Sequence, residues 1–203
     1  MKKPESICVF GDSIGWGAWD LEKGGWINRL WLQVSNNKDR DYGAEIYNLS
    51  ISGGTTETIL ARFESESKIR NADAIIFQTG TNDASYKNRP SDYLVQPEKF
   101  RKNINEIIKR ARKITNNLIF VGIKNCDESK TMPVSWISRY YSNDSIGKYN
   151  EIMKEICLKN KILFLDIGLL NNEDFDDGVH PNTKGHKKIY NKVKDFLTKN
   201  KWI

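Results

Sequence analysis

Five short apolar runs alternate with segments of helical periodicity, and this alternation constrains the fold more than any other feature of the sequence. Each run is short enough for a β-strand, and near-continuous apolarity is typical of parallel strands buried on both faces. The intervening segments place apolar residues three or four positions apart, as helices do. The pattern predicts an α/β fold of three layers, an open and mostly parallel sheet of these five strands with helices on both faces. The runs are Ile7–Phe10, Ala44–Leu49, Ala74–Gln78, Leu118–Ile123 and Ile162–Ile167.

The length of the chain predicts a single domain that spans residues 1–203. Single domains usually hold about 100–200 residues and bury one continuous core at that size. The 38% hydrophobic and 11% aromatic content is ordinary for a globular protein and excludes a disordered or fibrous chain. We expect neither a disulfide framework nor a zinc site, because Cys8, Cys126 and Cys157 are far apart and form no Cys-x-x-Cys pair.

The net charge of +6 does not predict nucleic-acid binding. The lysines concentrated near the C-terminus alternate with Ile189, Val193, Phe196 and Leu197, which is typical of a solvated amphipathic helix, and no recognition motif accompanies them. The apolar run near the N-terminus is too short for a secretory signal, and no segment approaches the ~18–20 apolar residues that cross a bilayer. We therefore expect a cytoplasmic protein without integral membrane association, and the oligomeric state stays open.

Polar, glycine-bearing loops follow three of the predicted strands. Ligands of such folds bind beyond the carboxyl ends of the strands, so these loops are where chemistry is expected. Two longer connections, 84–96 and 124–144, are predicted to be binding loops. Their aromatic side chains are candidates for lining a pocket, as are Trp16 and Trp19, and Lys87, Arg89 and Arg139 are candidates for contacting an anionic group. The three loops are Gly11-Asp12-Ser13, Ser50–Thr56 and Thr79–Asp83.

Ser13 is the candidate nucleophile, because it lies at a predicted strand-to-helix turn where backbone N–H groups can face a developing anion. A serine hydroxyl needs a base within hydrogen-bond reach. His180 follows Asp177 by three residues, so Asp177 can bond one ring nitrogen and leave the other for Ser13. A helix is expected to begin at Pro181. Taken singly, Ser13 could be only a helix N-cap and His180 only a loop residue.

Acyl transfer also needs hydrogen-bond donors for the oxyanion. Asn82 offers a side-chain amide, Gly53 an unhindered backbone N–H and Ser13 its own N–H. All three follow strands that neighbour one another in the expected sheet. Asp12 and Asp83 are expected to bond loop backbone rather than to take part in the chemistry.

Four segments resemble, in order, the motif blocks of the GDSL esterases, also called SGNH hydrolases. The resemblance implies a flavodoxin-like five-stranded sheet, with Ser13 as nucleophile, Asp177 and His180 completing the triad, and Ser13, Gly53 and Asn82 as oxyanion donors. It implies hydrolysis of small carboxylic esters through an acyl-enzyme, with acetylated sugars and short-chain esters as candidate substrates, and neither a metal nor an organic cofactor. His186 is expected to have a structural role. The blocks are Gly11–Ile14, Ile51–Thr56, Gly80–Asp83 and Asp177–Pro181.

Two other functions stay open. One is a non-catalytic carbohydrate- or lipid-binding module on the same fold. The other is a nicotinamide-dependent short-chain dehydrogenase, since Gly11-x-x-x-Gly15-x-Gly17 follows the first strand and Tyr190 precedes Lys194 by four residues. The second predicted strand carries Asn48 where the dinucleotide pattern expects an acidic residue, which argues against a dehydrogenase.

Overall fold

The computed structural model describes residues 3–36, 44–89 and 91–203, so residues 1–2, 37–43 and 90 of the expected single domain lie outside the described residues. All five predicted strands are present, and every pairing between neighbours is parallel. The strands are β1 (Ser6–Gly11), β2 (Glu45–Asn48), β3 (Ala74–Gln78), β4 (Leu118–Val121) and β5 (Leu163–Leu165). Their order in the sheet is β2-β1-β3-β4-β5, which confirms the predicted sheet.

The helices are α1 (Ser13–Trp16), α2 (Trp26–Ser35), α3 (Thr56–Ile69), α4 (Pro97–Ala111), α5 (Glu128–Thr131), α6 (Asn143–Lys159) and α7 (Thr183–Lys199). As the periodicity predicts, α2, α3, α4 and α6 lie between strands in sequence, and α7 follows the last strand. The periodicity does not predict the short helices α1 and α5 or the 3₁₀ turn at Asn172–Asp174. Among the described residues, none of these helices combines the length and the apolarity that a membrane crossing requires.

The prediction that the last helix begins at Pro181 is wrong, since α7 begins at Thr183. Asn182 is its N-cap, and the Asn182 side chain accepts hydrogen bonds from the backbone N–H groups of Lys184 (3.0 Å) and Gly185 (3.1 Å). An asparagine cap satisfies N–H groups that Pro181 could not. Pro181 instead pairs with Phe175 in an isolated β-bridge that closes the turn containing His180.

Two hydrophobic clusters cover the two faces of the sheet, because successive side chains of a strand point to opposite faces. In β1, Cys8 and Phe10 belong to one cluster and Ile7 and Val9 to the other. The first cluster includes residues of α3, α4 and α6, and the second includes residues of α2 and α7. The sheet is therefore the middle of three layers, as the apolar runs predict.

The strand order determines where the polar loops meet. β1 lies between β2 and β3, and all three run in the same direction, so the loops that follow them lie side by side at one edge of the sheet. Ser13, Gly53 and Asn82 each belong to one of these loops. The fold therefore gathers the candidate residues at the carboxyl edge.

Candidate active site

Asp12 forms the turn that presents Ser13. As the N-cap of α1, its Oδ1 atom accepts hydrogen bonds from the backbone N–H of Ile14 (2.9 Å) and from Nε2 of Gln78 (3.1 Å). Burial raises the pKa of the Asp12 carboxyl. As the first residue of α1, Ser13 has a backbone N–H without an intrahelical acceptor. That N–H is available to a ligand at the same place as the Ser13 hydroxyl.

The structure brings together the three residues of the predicted triad. The Oγ atom of Ser13 lies 2.8 Å from Nε2 of His180, although 167 positions separate the two residues in the sequence. The Nδ1 atom of the same ring lies 2.7 Å from Oδ2 of Asp177. Both distances are ordinary hydrogen-bond lengths, so the chain hydroxyl–imidazole–carboxylate is continuous.

Asp177 is held by donors on both of its oxygens. Its Oδ1 accepts from the backbone N–H groups of Val179 (3.0 Å) and His180 (2.8 Å), and its Oδ2 accepts from His180 Nδ1 and from Nε1 of Trp19 at 3.0 Å. Burial opposes ionisation, but the hydrogen bonds and the charge of His180 outweigh it and lower the pKa of the Asp177 carboxyl. An ionised carboxylate only accepts, so Nδ1 of His180 carries the proton and Nε2 is free to accept one from Ser13.

Gly178 and Lys124 hold the turn that carries the histidine. Gly178 has a φ of +91°, and a Cβ there would lie 2.8 Å from Cγ2 of Thr131, so no larger residue fits. The Nζ atom of Lys124, at the exit of β4, donates to the carbonyl of Val179 at 2.5 Å. Burial lowers the pKa of Lys124 to about 8. The sequence offers no periodicity that singles out this lysine.

The predicted oxyanion donors lie in the same cleft as Ser13. Gly53 has a φ of +75°, and within the described part of the chain no atom accepts a hydrogen bond from its backbone N–H. Nδ2 of Asn82 donates one hydrogen bond to the carbonyl of Gly54 (3.0 Å), and Oδ1 accepts one from the hydroxyl of Tyr141 (3.1 Å). Burial raises the pKa of Tyr141 to about 12, so its hydroxyl stays a donor. These two bonds fix the amide and leave one N–H of Nδ2 for a ligand.

The cleft has a volume of about 470 Å³ and an aromatic wall. The ring of Trp136 stacks on His180, with centroids 5.8 Å apart. Three loop cations are candidates for contacting an anionic group. Of these, Arg139 lines the cleft, whereas Lys87 and Arg89 do not. Both long connections contribute residues to the lining of the cleft. The lining residues are Ser13, Trp16, Ala18, Trp19, Ser52, Gly53, Asn82, Leu94, Trp136, Ile137, Arg139, Tyr141, Asp176, Asp177 and His180.

The sequence matches the GDSL-like Lipase/Acylhydrolase family over residues 9–188. The chain belongs to this family. The match includes every residue of the triad and every candidate oxyanion donor, which confirms the resemblance found in the four motif blocks. A search of curated protein sequences returned no match.

Solved structures show the same fold as this GDSL-like chain. An alpha/beta hydrolase enzyme from the metagenome of Lake Arreo is 18% identical, with 100% of this chain and 98% of that chain covered and a TM-score of 0.74. The acetylxylan esterase Axe2 from Geobacillus stearothermophilus is 17% identical over 98% and 94%, with a TM-score of 0.73. A lipase/acylhydrolase from Enterococcus faecalis is 18% identical over 97% and 96%, with a TM-score of 0.76. At these identities the likeness shows the fold alone.

The residues that suggested a dehydrogenase do not form a site in this GDSL-like chain. Tyr190 and Lys194 lie on α7, and neither lines the cleft. Gly15 packs closely instead of facing a cofactor, since a Cβ there would lie 2.4 Å from the hydroxyl of Ser50. Within residues 3–36, 44–89 and 91–203, no group of three or more His, Cys, Asp or Glu side chains is arranged to hold a metal ion.

The second histidine, His186, is fully buried in α7 away from the cleft. Its Nδ1 accepts a hydrogen bond from the backbone N–H of Trp26 (3.3 Å), and its Nε2 donates one to the carbonyl of Ala18 (2.9 Å). Burial lowers the pKa of His186 to about 4. The ring is therefore neutral at neutral pH and joins α7 to the loop that follows α1 and to the first residue of α2.

Proposed function

We propose that this chain is a serine esterase that hydrolyses small carboxylic esters through an acyl-enzyme intermediate. One observation carries the proposal: the hydroxyl of Ser13 is hydrogen-bonded to His180, which is bonded to Asp177, within a cleft. Residues 1–203 would form one such hydrolase domain, with no metal or organic cofactor in the reaction.

In the acylation step, Nε2 of His180 takes the proton of the Ser13 hydroxyl while Oγ attacks the carbonyl carbon of the ester. The carbonyl oxygen becomes an oxyanion that accepts hydrogen bonds from the N–H groups of Ser13 and Gly53 and from Nδ2 of Asn82. The bond between carbon and the alcohol oxygen then breaks, and His180 returns its proton to the departing alcohol. The acyl group remains on Ser13.

In the deacylation step, water replaces the alcohol. His180 takes a proton from the water, whose oxygen attacks the acyl carbon, and the same donors hold the oxyanion. Collapse returns the proton to Oγ of Ser13 and releases the carboxylic acid. Asp177 stays ionised throughout and stabilises the imidazolium that forms in each step.

The size and lining of the cleft support a small substrate. A volume of about 470 Å³ accommodates a short acyl group and part of the alcohol, and the walls are mainly aromatic and aliphatic. Acetylated sugars and short-chain esters are the candidate substrates, and the fold shared with a protein named as an acetylxylan esterase supports the former.

Hydrolysis of p-nitrophenyl acetate by the wild type and by Ser13→Ala tests the proposal. Removing the hydroxyl should lower kcat about 10⁴-fold or more while the circular dichroism spectrum is unchanged, because no other group can form the acyl-enzyme. A folded Ser13→Ala variant with wild-type activity would exclude the mechanism. No hydrolysis of any ester by the wild type would favour the non-catalytic binding module.

Asn82→Ala tests the oxyanion donors separately. The variant should lower kcat about 10²–10³-fold with little change in KM, because the amide N–H stabilises charge that develops in the transition state. An unchanged kcat would remove Asn82 from the mechanism. A series of p-nitrophenyl esters of increasing acyl length, measured beside acetylated sugars, then identifies the substrate.

A further inference from the structure

Trp19 joins the substrate-facing wall of the cleft to the triad. Its indole lines the cleft and is 47% exposed, while its Nε1 atom lies 3.0 Å from Oδ2 of Asp177. The indole ring is also edge-on to the imidazole of His180, with centroids 6.2 Å apart and planes at 85°. One face of the side chain is therefore open to a ligand, while its N–H bonds the carboxylate.

The backbone of Trp19 is in a conformation that bulky residues rarely adopt, with a φ of +66°. Such conformations persist only where the surroundings impose them, and they cluster at functional sites. Here the residues on both sides are anchored. The carbonyl of Ala18 accepts from His186 (2.9 Å), and the carboxylate of Asp20 accepts from Arg29 at 2.7 and 2.9 Å. These anchors hold the indole N–H at the carboxylate.

The oxygen that Trp19 bonds is the one that bonds the catalytic imidazole. Oδ2 of Asp177 accepts from both His180 Nδ1 and Trp19 Nε1, whereas Oδ1 accepts from two backbone N–H groups of its own turn. Across the described ranges, Trp19 is the only side chain outside residues 177–180 that donates to this carboxylate. Loss of the indole N–H would leave Oδ2 of Asp177 with a single hydrogen-bond donor, and the carboxylate would rotate more freely.

We propose that Trp19 is a positioning residue, whose indole N–H orients Asp177 toward His180 and draws negative charge from Oδ2, while its ring faces the substrate. The inference rests on the proposed function of the triad. Without this donor, the carboxylate is held less firmly, so the transition state loses stabilisation. The carboxylate is also more negative at Oδ2, so it favours the imidazolium and keeps the base protonated up to a higher pH.

Trp19→Phe tests the role of the N–H, and Trp16→Phe is the matched control. Both tryptophans line the cleft and are about half exposed, but no residue of the described chain accepts a hydrogen bond from the Trp16 indole. Trp19→Phe should lower kcat about 10-fold and move the acidic midpoint of the kcat/KM profile to higher pH. Trp16→Phe should change KM and leave that midpoint at the wild-type pH. The other charged groups around the pair, Asp12, Lys124, Arg139 and Asp176, are present in both variants.

A double-mutant cycle with Asp177→Ala shows whether Trp19 acts through the carboxylate. In the Asp177→Ala background, Trp19→Phe should lower kcat by less than about 2-fold, since the acceptor is already absent. Equal effects of Trp19→Phe in both backgrounds, or a pH profile identical to that of Trp16→Phe, would overturn the inference. Thermal unfolding of each variant separates these outcomes from misfolding. If Ser13→Ala also keeps wild-type activity, the proposed function itself fails. If activity depends on Ser13 but the effects of Trp19→Phe and Asp177→Ala on kcat are additive, only the inference about Trp19 is contradicted.

Discussion

The two histidines of the chain lie six positions apart and are both buried, yet their surroundings give them different chemistry. His180 is bonded to the hydroxyl of Ser13 and the ionised carboxylate of Asp177. His186 is bonded to the backbone N–H of Trp26 and the backbone carbonyl of Ala18. Burial alone therefore does not distinguish a base from a structural ring.

The partners of each ring decide whether it can take up a proton. In the proposed mechanism, the carboxylate of Asp177 stabilises an imidazolium at His180, and the hydroxyl of Ser13 supplies the proton that forms it. At His186, a second ring proton on Nδ1 would face the N–H of Trp26, a donor that cannot become an acceptor. His180 therefore has the partners that the proposed base needs, whereas His186 is held neutral at neutral pH.

The largest expected effect is on activity, from His180→Ala. Loss of the base should lower kcat/KM for p-nitrophenyl acetate by about 10³–10⁴-fold, because Ser13 then keeps its proton. The free energy of unfolding, measured in urea, should change by about 1 kcal/mol or less, because the ring lines the open cleft, where water can reach the partners that it leaves. A His180→Ala variant with near-wild-type activity would contradict the proposal that His180, unlike His186, acts as the base.

The next effect is on stability, from His186→Ala. The substitution removes a buried ring and leaves the backbone groups of Trp26 and Ala18 unpaired, which should lower the free energy of unfolding by about 2–4 kcal/mol. Activity per folded molecule should stay within about 10-fold of wild type, because the ring contacts no triad member. A loss of activity as large as that of His180→Ala, in protein that remains folded, would contradict a structural role.

The smallest effect is the pH dependence that His186 contributes to stability. Its pKa of about 4 lies below the ordinary histidine value of 6.5, so the unfolded chain binds more protons between these pH values. The contribution of His186 to the free energy of unfolding is therefore fully present above pH 6.5 and is lost on acidification toward pH 4. Between pH 7 and pH 5 this loss should be about 2 kcal/mol.

Asp83 changes the free energy of unfolding in the opposite direction over the same pH range. Burial raises the pKa of its carboxyl to about 7, so the folded chain binds more protons at this residue than the unfolded chain does.

Urea unfolding of wild type and His186→Gln at pH 7 and pH 5 isolates the contribution of the histidine, because Asp83 is present in both proteins. The stability difference between the two proteins should shrink at pH 5. A difference independent of pH would mean that His186 does not titrate as described.

The strands and the order of the motifs could be predicted from the sequence because parallel strands buried on both faces leave continuous apolar runs. Ser13, Gly53 and Asn82 follow such runs, and the rule that ligands bind at strand exits placed them together. The start of α7 could not be predicted, because Pro181 and Asn182 are both acceptable near a helix N-terminus and the bridge to Phe175 decides between them.

The contacts that support the site could not be predicted, because they join side chains through space without periodicity. Trp19 and Tyr141 were candidates for lining a pocket, but nothing in the sequence indicates their hydrogen bonds to Asp177 and Asn82. Lys124 ends an apolar run as an ordinary surface lysine would, yet it is buried beneath the His180 turn. Each of these contacts depends on which loop the fold brings next to the side chain.

The most direct test of the proposed mechanism is the labelling of the folded protein by a fluorophosphonate, with the modified residue mapped by peptide mass spectrometry. An activated Ser13 should give a single adduct on that residue, formed about 10³-fold more slowly in His180→Ala and at close to the wild-type rate in His186→Gln. An adduct on another residue, or a Ser13 labelling rate that is unchanged in His180→Ala, would contradict it.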